Sequence, residues 1–102
     1  MLFSKHKVAI QASRGGGRVT TSSLKGVITH IAIIPEIPGT IYDFVIKDAQ
    51  DDEIVEVKDH VGRLDYREEV PVGIVQMEPV VFEILRTSFN TVFKIIFAVR
   101  ES

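Results

Sequence analysis

The chain has 102 residues, enough for one domain with its own core, and an apolar content of 45% with mean hydropathy of +0.18 excludes a disordered polymer. It has no cysteine, which excludes disulfide staples and thiolate metal sites. The formal net charge is only −2, yet residues 1–35 carry five basic side chains and no acidic one, while residues 36–102 hold the other seven basic and all fourteen acidic ones.

The apolar residues are mostly Val, Ile and Phe, types that suit a pleated, half-buried surface, so the chain reads as all-β. A first strand is predicted over Lys5 to Ser13, with Lys7, Ala9 and Gln11 alternating against Val8, Ile10 and Ala12. Arg14-Gly15-Gly16-Gly17-Arg18 interrupts it as a flexible hinge or wide turn; no Lys-Ser/Thr and no helix start follow, so it is not a phosphate loop. Residues 1–18 are therefore expected to form a basic arm with a glycine hinge, and residues 19–102 a single β-sandwich domain. Val19 to Ser23 is polar and β-prone, and Leu24 to Ile34 is the longest apolar segment, closed by Pro35. Near its end Ile31 and Ile33 oppose Ala32 and Ile34, and a strand apolar on both faces is covered on both.

Gly39 to Val57 carries the clearest signal. Tyr42, Phe44 and Ile46 share one face of a strand, Ile41, Asp43, Val45 and Lys47 the other, and an acidic turn over residues 48–52 leads into Ile54 to Val57. Lys58 to Glu69 is polar, with a turn at Gly62 and with Leu64 and Tyr66 on one face; Val70 to Gly73 is a kink leading into a strand over Ile74 to Met77. Val80, Phe82 and Ile84 face one way in a strand ending at Arg86. After a turn at residues 87–91, Phe93, Ile95, Phe97 and Val99 face inward against Lys94, Ile96, Ala98 and Arg100, which makes Val80 to Val99 a second hairpin. The expected fold is an antiparallel β-sandwich or jelly-roll-like barrel of about seven to nine short strands with an extended N-terminal arm.

Chemical motifs are absent from this pattern. His6, His30 and His60 are widely spaced and lack cysteine partners, and Asp48, Asp51, Asp52 and Glu53 lack the central Gly and terminal Glu of a calcium loop. The adjacent pairs Glu68-Glu69 and Asp51-Asp52 point to opposite faces of a strand, and no serine sits in a nucleophile elbow. Asp43 interrupts an apolar strand and reads as structural, on the solvent face or bonding the amides of a turn. No enzyme and no cofactor is expected. The N-terminus lacks an apolar signal core and cleavage site, and no apolar run approaches the ~18 residues of a membrane-spanning helix. The acidic body argues against nucleic acid as a partner. The basic segment either pairs with the chain's own acidic body or reaches an acidic neighbour, and Lys5, Lys7, Arg14, Gly15, Gly16, Gly17 and Arg18 are the candidate interface residues.

A further reading rests on a likeness of pattern. Thr20-Thr21 before an apolar strand ending in prolines, then Thr40 to Asp48, an acidic turn, Gly62-Arg63-Leu64, Pro71 to Ile74 and a closing strand from Phe93 to Val99 resemble a family of small all-β structural proteins of tailed bacteriophages. The resemblance implies a virion component assembled in the host cytoplasm: a decoration or cement protein on the capsid surface, bound to the major capsid protein and homo-oligomeric, for example trimeric. Its second reading is a neck or tail component. A cellular carbohydrate-binding module would want exposed aromatics, and the chain has no Trp and two Tyr.

Overall fold

The computed structural model describes residues 2–13, 15–73 and 76–101, with the side chain of Leu2 outside that set. Alternation of β-branched and aromatic residues holds the backbone extended, and the described residues form nine strands: β1 (Leu2–Ala12), β2 (Gly16–Thr20), β3 (Gly26–Pro35), β4 (Ile41–Lys47), β5 (Glu53–Val61), β6 (Leu64–Tyr66), β7 (Val70–Val72), β8 (Val81–Leu85) and β9 (Thr91–Glu101). Strands pair as nested antiparallel partners, β4 with β5, β3 with β6, β2 with β8 and β1 with β9. That nested ribbon is wound on itself, so that β9 also meets β3 and β8 also meets β4, giving sheets ordered β1-β9-β3-β6 and β2-β8-β4-β5. This winding is a jelly-roll β-sandwich, the expected class. β7 pairs with the start of β3.

The core lies between the two sheets. β9 contributes Phe93, Ile95, Phe97 and Val99, and β4 contributes Tyr42, Phe44 and Ile46, all fully buried or nearly so. A register shift between Ile28 and His30 lets both Ile28 and Ile31 point inward from β3, which strict alternation would forbid. The Tyr42 hydroxyl donates to the Gly62 carbonyl at 2.7 Å, which satisfies the buried phenol.

Three expectations are corrected. Val80 to Val99 is not a hairpin: β8 belongs to one sheet and β9 to the other, because Phe82 and Phe97 meet face to edge across the core, ring centroids 5.0 Å apart. Val70 to Val72 is a strand and not a kink; it lies at the rim of the sheet, where Pro71 removes no central ladder bond. Of the strand expected over Ile74 to Met77, the first two residues lie outside the described set, and Gln76 and Met77 are not in a strand.

The glycine run is a tight turn with a close approach. Ser13 N–H donates to Gly16 O at 3.3 Å and Gly16 N–H to Ser13 O at 2.7 Å, and the chain passes from β1 in one sheet to β2 in the other. Gly16 has φ of 112°, and a Cβ there would lie 2.0 Å from the Ile84 carbonyl oxygen, whereas a Cβ on Gly15 meets nothing within 4 Å. Gly16→Ala is therefore expected to cost about 2 kcal/mol and Gly15→Ala less than about 0.5. Urea unfolding of the two variants side by side checks this; equal costs would mean that a flexible turn, and not packing on β8, is what the position requires.

Candidate interaction face

The outer faces of the two sheets differ in kind. Across the middle of the β2-β8-β4-β5 sheet charges are matched within the chain, while its β5 edge keeps an excess of carboxylates. Lys47 Nζ lies 3.0 Å from Glu83 and 3.8 Å from Asp51, Arg18 lies 3.0 Å from Asp51, and Lys58 lies 3.7 Å from Glu56. Val45, flanked in register by Glu83 and Glu56, is fully buried beneath this layer. The hydrogen bond that Lys47 donates to Glu83 is the main reason that its ammonium titrates above its ordinary range.

The outer face of the β1-β9-β3 sheet carries apolar side chains instead. Register places Phe3 beside Arg100, and across the three strands it sets Ala98 between Lys5 and His30, Ile96 between Lys7 and Ala32, and Lys94 between Ala9 and Ile34. Phe3 is 63% exposed, and Phe3, Lys5, His30, Ile96 and Ala98 line a shallow depression of about 150 Å³. No ion pair among the described residues involves Lys5, Lys7 or Lys94. At the far rim Arg100 lies 3.0 Å from Glu69, and Asp65 accepts from Arg63 at 3.0 Å and faces His30 at 3.3 Å. The Arg63 hydrogen bond first, and that of His30 after it, hold the Asp65 carboxyl below its usual range despite the opposing effect of desolvation. The result is an apolar strip with lysines along one side and no acidic layer over it.

The structure does not bring the sequence-selected interface residues to one place. Lys5 and Lys7 lie on the apolar face, on a strand paired with β9 along its whole length. Gly15 lies in the corner, Gly16 and Gly17 open β2, and Arg18 lies further along β2 on the opposite sheet, held by the chain's own Asp51. Arg14 lies outside the described residues. Phe3, Ile34, Ile96 and Ala98 were not singled out; the apolar second face of the β3 and β9 segments was the available signal.

The histidines stay apart. His6 stacks on Phe97 with centroids 4.9 Å apart, His30 faces Asp65, and His60 Nε2–H donates to the Arg63 carbonyl at 2.7 Å. Among the described residues no three His, Asp or Glu side chains are grouped as a metal site. A larger hollow of about 620 Å³ lies between the β4–β5 turn and the segment after β7, lined by Ile54, Pro71, Val72, Pro79 and Val80 with Asp48 and Glu78. Asp48 is engaged there in its own turn, accepting the Gln50 and Asp52 amides at 2.9 Å.

The fold and this face together describe a jelly-roll sandwich with one sheet charge-compensated across its middle and one apolar, lysine-edged sheet. No family model matches the chain, and no curated protein matches it. Among solved structures it is similar to a chain in the structure of infectious bursal disease virus Gt strain, at 11% identity and TM-score 0.41, covering 96% of this chain and 32% of that one. The chain thus spans well under half the length of that protein, and a likeness at this level carries no functional argument.

Proposed function

We propose that the chain is a non-enzymatic structural subunit of a tailed-phage virion: a capsid decoration or cement protein that lays the outer face of its β1-β9-β3 sheet on the shell of the major capsid protein. The phage setting rests on the resemblance of strand pattern described above, since a jelly roll hosts many functions and selects none by itself. The mode of binding rests on one observation, the apolar strip of Phe3, Ile96, Ala98 and Ile34 beside lysines that make no ion pair among the described residues. Exposed apolar surface rimmed by charge is the usual mark of a protein-binding patch. The molecule measures 38 × 25 × 19 Å, so its broad face is close to the roughly 800 Å² per partner of a stable interface. Lys5, Lys7 and Lys94 would meet carboxylates on the shell, and repetition over many identical sites strengthens retention.

The test is co-sedimentation with shells assembled from the accompanying major capsid protein, both before and after expansion. Wild-type chain is expected to bind to saturation and to bind less tightly as salt rises. Phe3→Asp and Ile96→Asp are each expected to weaken binding roughly thirtyfold, a loss of about 2 kcal/mol, without unfolding the sandwich. Folded wild-type protein that stays in the supernatant with both kinds of shell overturns the reading. Binding to neck or tail particles instead moves the same face to that part of the virion.

A further inference from the structure

The two longest strands at the sheet edges are β1, with 11 residues, and β5, with 9, each ending one of the two sheets. They lie on opposite sides of the sandwich. β1 continues through the Ser13–Gly16 turn into β2 on one flank, and β5 continues past Gly62 into β6 on the other. A long edge strand exposes unpaired backbone donors and acceptors and accepts a further strand unless something prevents it.

The charges on these edges are opposite. β1 carries Lys5 and Lys7 and no carboxylate, while β5 carries Glu53, Glu56 and Asp59 against a single Lys58. Like charges on directly opposed strands destabilise a pairing, and unlike charges support it. A two-fold pairing of β1 with β1 brings lysines together, and a two-fold pairing of β5 with β5 brings carboxylates together. Register shifts at both ends of β5 further disfavour indiscriminate pairing. Of the three combinations of these edges, only β1 with β5 is complementary.

We propose that copies of the chain assemble head to tail, the β1 edge of one copy adding to the β5 edge of the next. Because the two edges lie on opposite flanks, each copy uses both, and the contact is heterologous: it builds a closed ring or a longer row and not a two-fold dimer. The inference shares Lys5 and Lys7 with the shell-binding face, but its other edge, β5, takes no part in the outer face of the β1-β9-β3 sheet.

Sedimentation velocity of the purified full chain, without shells, tests it. The wild type is expected to form species larger than a dimer that weaken as salt rises. Two edge variants, Lys5→Glu with Lys7→Glu and Glu53→Lys with Glu56→Lys, alter exposed side chains and are expected to keep the wild-type circular dichroism and melting profile. Each should raise the concentration needed for assembly roughly tenfold or more. The first variant has two acidic edges and the second two basic ones, so an equimolar mixture should reassemble. A wild type that is monomeric at its highest soluble concentration overturns the proposal, as do a two-fold dimer, an assembly indifferent to both swaps, or folded variants that fail to reassemble when mixed. Glu53→Lys with Glu56→Lys leaves the apolar face intact, so loss of self-assembly and loss of shell binding are separable results.

Discussion

Asp43→Ala is expected to lower folding stability by about 3 kcal/mol, the scale of loss when a buried charged acceptor is removed and its partly buried donors are left unpaired. Asp43 is 4% exposed, in the middle of β4. One carboxylate oxygen accepts the Asp59 backbone N–H at 2.9 Å, and the other accepts Arg86 Nε–H at 2.8 Å. Both partners have positive φ, 52° at Asp59 and 50° at Arg86, a conformation that costs a residue other than glycine about 1 kcal/mol or more. β4 and β5 slip register at the same place, between Tyr42 and Phe44. The carboxylate therefore holds a bulge on one side and the end of β8 on the other. Since the Arg86 side chain is 70% exposed, its charge contributes modestly and the Asp59 amide bond carries most of the effect. Asp43→Asn keeps an acceptor for that amide and should cost about half as much. Urea unfolding at neutral pH checks both values; an Asn variant as damaged as the Ala variant would assign the effect to charge.

The same carboxylate gives the pH dependence a definite sign. Burial alone would push its pKa up; the Asp59 amide, the Arg86 guanidinium and the more distant Lys58 together outweigh that and hold it below the ordinary 3.8. A pKa depressed in the folded state means that the unfolded chain takes up its proton first as pH falls. The stabilisation is thus complete above about pH 4 and is lost as pH drops through the folded value. Asp43→Asn should flatten that part of the stability profile, and identical acid slopes in the two proteins would show that other carboxylates set them.

What could be read from the chain divides along a physical line. Which face a side chain takes is a local property of period two, so Tyr42, Phe44 and Ile46 are grouped on one face correctly, and Phe93, Ile95, Phe97 and Val99 are correctly placed inward; all seven are buried. Which strand becomes a neighbour is not local. β8 and β9 are separated by only a short turn, yet the winding sends them to different sheets, and no feature of residues 87–91 announces it. The bulge near Thr29 is likewise silent in the pattern, because it is set by pairing with β9. Of the candidate site, the charge asymmetry pointed to Lys5 and Lys7. It could not separate them from Arg18, whose partner Asp51 is distant in sequence and adjacent only in the folded chain. Asp43 could be recognised as structural from its place in an apolar strand; that it clamps Asp59 and Arg86 required the fold.

Phe82→Ala is expected to have the largest effect of any single change considered, about 4 kcal/mol. Phe82 is fully buried on β8, its ring 5.9 Å from Phe44 in the same sheet and 5.0 Å from Phe97 in the facing one. With Tyr42 on Phe93, centroids 4.8 Å apart, it is one of the aromatic contacts that join the two sheets, and its removal leaves a cavity lined by strands on both sides that cannot close together without shifting whole ladders. A domain of this size is stable by roughly 5–15 kcal/mol, so the variant should be folded but marginal, melting about 15–25 °C lower. Phe89→Ala, on a side chain 50% exposed in the β8–β9 turn, should change stability by less than about 0.5 kcal/mol. Measurement at low protein concentration keeps self-assembly from adding to either value. If Phe82→Ala proved as mild as Phe89→Ala, the contact between the sheets would not rest on this aromatic stack.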